Sequence, residues 1–152
     1  MILFKNENVT VEFDPTIPCV VWTPVGYVCG DDFRDPFLIG IDFVVDKIKE
    51  YPLIGWLNDV RRIKSPKKED VEWVDNKANN IAERIGLKKF AFVPPEDVFG
   101  KMAIRLYAFM TNKMGNSKLE IKAFATIEEA RLWLKGIKGV ELNEIKLSIN
   151  QK

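Results

Sequence analysis

The chain contains no histidine. That removes the usual general base near neutral pH, the Ser-His-Asp and Cys-His arrangements, and histidine-rich zinc sites. Any enzyme built on it would rely on carboxylates, lysine or a cofactor, so a non-enzymatic role is expected. Two cysteines, Cys19 and Cys29, are too few for a disulfide framework or a cysteine zinc site. No residue around them supplies a base that would activate a thiol. The net charge is only +1, which gives no bulk case for nucleic acid or an anionic membrane. No run of about 18 apolar residues occurs, so no membrane span is expected. The start, Met1-Ile2-Leu3-Phe4-Lys5, lacks the basic, apolar and small-residue regions of a signal peptide. These features together lead to an expectation of a cytoplasmic protein. No glycine-rich phosphate loop or metal-ligand cluster appears, so no cofactor and no metal are expected.

What is present suits one globular domain. Its 152 residues fall in the usual range of roughly 100–200 per domain. At 47% hydrophobic the composition speaks against disorder. The central stretch is Gly55-Trp56-Leu57-Asn58-Asp59-Val60-Arg61-Arg62-Ile63-Lys64-Ser65-Pro66. It reads as a buried strand over Trp56–Val60, then a polar turn, then a helix start. Before it, Val9–Phe13 and Cys19–Val25 read as an antiparallel hairpin. Phe33, Phe37, Ile41, Val44, Val45 and Ile48 recur at helical spacing. That helix starts either at an Asp35-Pro36 cap or near Asp32. Val71, Val74, Ala78, Ile81, Ala82 and Ile85 form a second stripe, ended by Gly86. Phe90–Val93 is a continuous apolar run, as in a strand covered on both faces. Val98, Met102, Leu106, Phe109 and Met110 mark a third helix running to about Lys113. Leu119–Phe124 alternates as a strand. Thr126-Ile127-Glu128-Glu129 is a capping box before the last helix.

The order is β-β-α-β-α-β-α-β-α. It argues for an α/β fold with one mixed sheet, parallel central strands and an N-terminal antiparallel hairpin, covered by about four helices. Trp56–Val60 and Phe90–Val93 are expected to be central parallel neighbours. The domain is expected to span 1–137, with 138–152 a tail or an added edge strand. The open edges of the hairpin and tail suggest a monomer or weak dimer.

Gly30-Asp31-Asp32-Phe33-Arg34, Trp56-Leu57-Asn58-Asp59-Val60-Arg61 and Ser65-Pro66-Lys67-Lys68-Glu69-Asp70 follow one another along the chain. Gly86-Leu87-Lys88-Lys89, Val93 through Met102 and Glu128 through Leu134 continue the pattern. In order and spacing the chain resembles the SpoIIAA-like, or STAS/SEC14, family of small bacterial proteins from about Phe4 to Gly136. The resemblance implies a STAS-type fold. The relatives it points to divide into anti-sigma-factor antagonists switched by serine phosphorylation and lipid-binding SEC14-like domains.

Three sets of candidate residues follow. In the antagonist branch a phosphorylatable serine opens the helix after the third strand, which points to Ser65. Here the sequence is Lys64-Ser65-Pro66-Lys67, without the acid and glycine of that motif, and the plainer reading is an N-cap serine before a first-position proline. Asp59 and Arg61 lie past the strand, where an unpaired guanidinium would hold a carboxylate or phosphate head group. A local ion pair is the simpler account. Phe99, Met102 and Met110, with Phe109 and Met114, form a soft apolar set suited to irregular ligands, or else to core. The leading expectation is a non-enzymatic domain binding a lipid-like or small apolar ligand, or a protein partner. A regulatory interaction module and a carboxylate- or lysine-dependent enzyme are the alternatives. The ligand pocket is expected between the sheet and the Met102–Met114 helix, with Asp59 or Arg61 near its mouth.

Overall fold

The computed structural model describes residues 1–113 and 119–136, with side chains at 1–106 and 119–136. Six strands form one sheet: β1 (Ile2–Lys5), β2 (Val9–Asp14), β3 (Cys19–Pro24), β4 (Gly55–Asp59), β5 (Lys89–Val93) and β6 (Glu120–Ala123). They lie in chain order across it. The pairs β1–β2 and β2–β3 are antiparallel, and every later pair is parallel. Trp56 lies opposite Phe90 and Asp59 opposite Val93, so the two apolar strands are parallel neighbours inside the sheet. The expected hairpin gains one further strand, β1, at the edge. The expected tail or strand over 138–152 lies outside the described residues.

Chain order and handedness place the helices. The connections β3–β4, β4–β5 and β5–β6 all advance the same way across the sheet. A right-handed crossover at each step therefore puts all three on one face. They are α1 (Asp31–Lys47), the body α2 (Lys68–Trp73) and α3 (Asn79–Arg84), and α4 (Phe99–Lys113). Phe33, Phe37, Ile41, Val74, Ala78 and Leu106 from these helices pack with Trp22, Trp56, Phe90 and Phe92 from the sheet. The opposite face is covered by α5 (Ile127–Leu134), whose Ala130 and Leu134 meet Cys19, Leu57, Ala91 and Val93. That explains why β4 is buried at every position while β2 alternates. Thr126 caps α5 as its sequence indicates, accepting from the Glu129 amide at 3.2 Å.

Two helix details depart from the simplest reading. Helix α1 begins at Asp31, which decides for the start near Asp32 over the Asp35-Pro36 cap and leaves Pro36 inside the helix. The second stripe is one continuous body, but residues Val74–Ala78 form a π turn between α2 and α3. The Asn79 amide reaches back five residues to the Val74 carbonyl. The side-chain amides of Asn79 and Asn80 bond the carbonyls of Asp75 and Asn76, supporting the widened turn.

Gly40 lets α1 lie close on the sheet. A Cβ there would come within 2.5 Å of the Trp56 ring and 3.2 Å of Val20. Gly100 in α4 has nothing within 4 Å of the same position. Gly40→Ala is therefore expected to lower unfolding stability by about 1–3 kcal/mol through overpacking. Gly100→Ala is expected to raise it by up to about 1 kcal/mol through helix propensity. Urea denaturation of the two variants checks both signs.

Candidate functional site

The three crossovers leave a crevice where β3, β4 and β5 end. Crevices at the carboxyl ends of parallel strands are the usual ligand positions in open α/β sheets. Here a cavity of about 310 Å³ occupies it. Its floor is Trp22 from β3, Val60 just past β4 and Phe92 from β5. Phe33 of α1, Val71 of α2 and Val74 of the π turn form one wall. Met102 and Arg105 of α4 face them, with Val98 beside. Ile63, Ser65 and Pro66 border it from the loop after β4, and Pro95 and Asp97 from the loop after β5. The volume is at the lower end of the range for small-molecule sites, about 300–1,000 Å³.

Two buried polar groups lie in the sheet beneath the crevice. Trp22 pairs in register with Asn58, and Asn58 with Phe92, so the three side chains form one row on one face. Trp22 is 1% exposed and Asn58 is fully buried. Asn58 Oδ1 accepts a 2.8 Å hydrogen bond from Trp56 Nε1. Asn58 Nδ2 and Trp22 Nε1 have no hydrogen-bond partner among the described residues. At the rim, Arg105 donates to the Asp75 carboxylate at 3.1 Å. Arg105 thus joins α4 to the π turn across the cavity's side.

The structure divides the residues singled out from the sequence. Met102 and Ser65 line the cavity. Phe99 lines a different depression, of about 500 Å³, between α4 and β6. The side chain of Met110 lies outside the described residues, as do those of Phe109 and Met114. Asp59 and Arg61 are not in the cavity lining. Strand alternation is the reason: Trp56, Asn58 and Val60 point to the cavity face, and Asp59 points to the other. Asp59 instead holds Arg61 in a two-point ion pair, both contacts 2.9 Å. The Asp59 hydrogen bond raises the Arg61 pKa, against the opposing effect of burial.

Ser65 corrects the sequence reading. It is not a helix cap. Lys67 occupies the N-cap of α2, without a side-chain cap bond. Ser65 instead has φ +45°, turning the chain at the cavity's border. The residues that sequence reasoning passed over are Asn58, Asp70 and Asn79, all buried and polar. Asp70 accepts from the Gly30 amide at 3.1 Å and from Arg34 Nε at 3.3 Å, tying α2 to the start of α1. Asn58 carried a readable signal, a neutral amide inside an apolar run; Asp70 and Asn79 resemble ordinary helix-surface residues in sequence.

Comparison with known proteins bears on this architecture. No family model and no curated protein matches the sequence. Among solved structures, the chain is similar to an uncharacterized protein of the DUF3478 family, with a SpoIIAA-like fold, from Shewanella loihica PV-4. The TM-score is 0.55 at 14% identity, covering 86% of this chain and 98% of that one. The chain has a SpoIIAA-like fold. The resemblance read from the sequence thus holds at the level of the fold. No described helix is long and apolar enough to cross a membrane.

Two outcomes are expected from these details. A left-handed conformation costs an L-residue about 1–2 kcal/mol, part of which glycine recovers. Ser65→Gly should therefore gain up to about 1 kcal/mol in denaturant unfolding. Ser65→Ala should stay within about 0.5 kcal/mol, as expected away from a cap. The cysteines also separate. Burial, helped by the Asp14 charge, pushes the Cys19 thiol up to about 12, while Cys29 is exposed. An aromatic disulfide reagent at pH 8 should titrate Cys29 alone until the protein unfolds. An unfolded thiol ionises near pH 8.5. Folded Cys19 keeps its proton above that point, so its contribution to stability is full below about pH 8.5 and is lost toward pH 12. Replacing Cys19 by Ala should flatten that part of the stability profile.

Proposed function

We propose that the protein is a non-enzymatic binding domain that holds a small apolar or amphipathic molecule in the cavity at the ends of β3–β5. The observation that carries this reading is the cavity itself, about 310 Å³ among Trp22, Phe33, Val74, Phe92 and Met102. A concave recess of this size at the carboxyl ends of parallel strands is the kind of place where small molecules bind in open α/β sheets. Its apolar walls favour hydrocarbon or ring surface. Met102 adds an adaptable side chain to that wall. Arg105 and Asp97 at the border give an amphipathic ligand a polar end to meet.

The test uses the full chain. Native mass spectrometry of freshly purified protein should show a mass increment that solvent extraction removes. The stripped protein should then bind 1-aminoanthracene, read by its fluorescence. Met102→Trp, which fills the cavity, should weaken that binding at least tenfold while leaving the melting temperature within a few degrees. Protein that carries nothing and does not bind the probe would end the reading.

A further inference from the structure

We infer that residues 142–146 of this chain add to the outer edge of β6 as an antiparallel strand, at a site separate from the cavity. Among the described residues β6 is the last strand of the sheet. The amides of Glu120 and Phe124 turn inward, to the carbonyls of Lys88 and Phe92, each at 2.8 Å. Alternation along the strand turns the N–H and C=O of Ile121 and Ala123 outward, where no described residue meets them. An open edge of this kind pairs with another strand unless something covers it. The depression of about 500 Å³ lies along this same edge. Phe99, Ala103 and Leu106 of α4 flank it on one face of the sheet, and Trp133 of α5 on the other. A slot walled on both faces, with an open strand as its base, has room for one more strand.

The sequence over 142–146, Leu-Asn-Glu-Ile-Lys, matches β6 in one antiparallel register. With Ile145 opposite Ile121, Lys146 lies opposite Glu120 and Glu144 opposite Lys122, so both charged pairs are of opposite sign. Leu142 then lies opposite Phe124. In β6, Ile121 is buried while Glu120 and Lys122 are exposed. The register therefore keeps Ile145 on the α4 face with Ile121 and Leu106, and the charges on the other. A shift of one residue either way sets Lys146 or Glu144 against Ile121. A shift of two opposes Lys122 to Lys146, or Glu120 to Glu144. Handedness sets the direction. The end of α5 lies by the start of β6, since Lys89, opposite Glu120, donates to the Trp133 carbonyl at 2.7 Å. A parallel strand outside β6 would make a crossover through α5 on the face opposite α1–α4, which is the left-handed one. An antiparallel strand starts from the far end, beside Phe124. Residues 137–142 reach about 20 Å when extended, and Glu120 to Phe124 is about 13 Å along the strand. Two copies of β6 also match edge to edge, Ile121 on Ile121 and Glu120 on Lys122. The tail has the advantage of a tether, which holds it at an effective concentration near millimolar. Seated, it blocks that self-pairing.

Full-length variants test the register. Lys122→Cys with Glu144→Cys, in a Cys29→Ser background, places two thiols at a non-hydrogen-bonded pair, about 4.5 Å between Cα atoms and within disulfide reach. Mild oxidation should link them within one chain, read by peptide mass after digestion. Lys122→Cys with Lys146→Cys sets the thiols on a diagonal of about 7–8 Å, and should link at least tenfold more slowly. In the otherwise unchanged chain, Ile145→Asp puts a charge against the α4 face. It should speed amide hydrogen exchange at Ile121 and Ala123 at least tenfold and leave Trp56 and Leu57 unchanged. Equal linking of the two cysteine pairs would overturn the inference. So would links formed between chains rather than within one, which is the result expected if a second copy takes the edge. Exchange at Ile121 and Ala123 that Ile145→Asp does not move would overturn it as well.

Discussion

The front of the molecule depends on how the Trp56 indole is buried. Gly40 removes a side chain from α1, so that the helix lies directly over the Trp56 ring. Phe37 and Phe90 close around it, with ring centroids 4.6 and 5.9 Å away. So enclosed, its N–H has no access to water and must find an acceptor; leaving it unmet would cost about 1–3 kcal/mol. The acceptor is two residues along the same strand, on the same face, at Asn58. A single buried amide therefore enters the middle of an otherwise apolar strand. Its oxygen is spent on Trp56, and its nitrogen is left buried in the row between Trp22 and Phe92. The burial of one indole thus decides where the strand's one buried amide lies.

The topology sets where the crevice opens. Strands in chain order with crossovers of one hand put α1, α2–α3 and α4 on the same side. Helices laid side by side on a twisted sheet diverge at one end, and the loops leaving the parallel strands open there. The other face needs only α5, which is clamped at both margins. Arg131 reaches Asp14 of β2 at 2.9 Å. Burial works upward on the Asp14 pKa, but the bonds from Thr16 and Arg131 outweigh it and hold the carboxyl below its ordinary value. At the other margin Lys89 donates to the Trp133 carbonyl at 2.7 Å and lies 5.0 Å from its ring. The crevice lies on the opposite face, the one that has three helices.

Much of this was legible because period and burial agree. The continuous apolar run Phe90–Val93 belongs to a strand covered twice, and the alternating Val9–Asp14 to one covered once. The Thr126 cap follows from four consecutive residues. The site was less legible, because it depends on side-chain parity and on tertiary donors. Asp59 and Arg61 lie past the strand end as a candidate pair should, yet a one-residue offset in a strand reverses the face, and they pair with each other away from the cavity. Ser65-Pro66 has the residue types of a cap, but a turn across the crevice border needs a left-handed residue there, and the helix begins at Lys68 instead. The π turn leaves no mark in the apolar spacing, since the polar side chains of Asn79 and Asn80 support it.

The loop that borders the cavity is fixed from two directions. Gly26 forms an isolated bridge with Ile63. The Gly26 amide donates to the Arg62 carbonyl at 2.8 Å, and the Lys64 amide donates back to Gly26 at 2.8 Å. These bonds hold the segment entering the border against the loop after β3. On the leaving side, Asp70 binds Gly30 and Arg34, and Arg34 lies over the Trp73 ring at 5.6 Å. Ser65 spans the short stretch between these anchors, which is why its backbone accepts a sparsely populated conformation. The loop at the cavity's border is therefore tied down on both sides of Ser65. A border fixed on both sides has little conformational freedom left to lose, which lowers the ordering cost of any binding at the crevice.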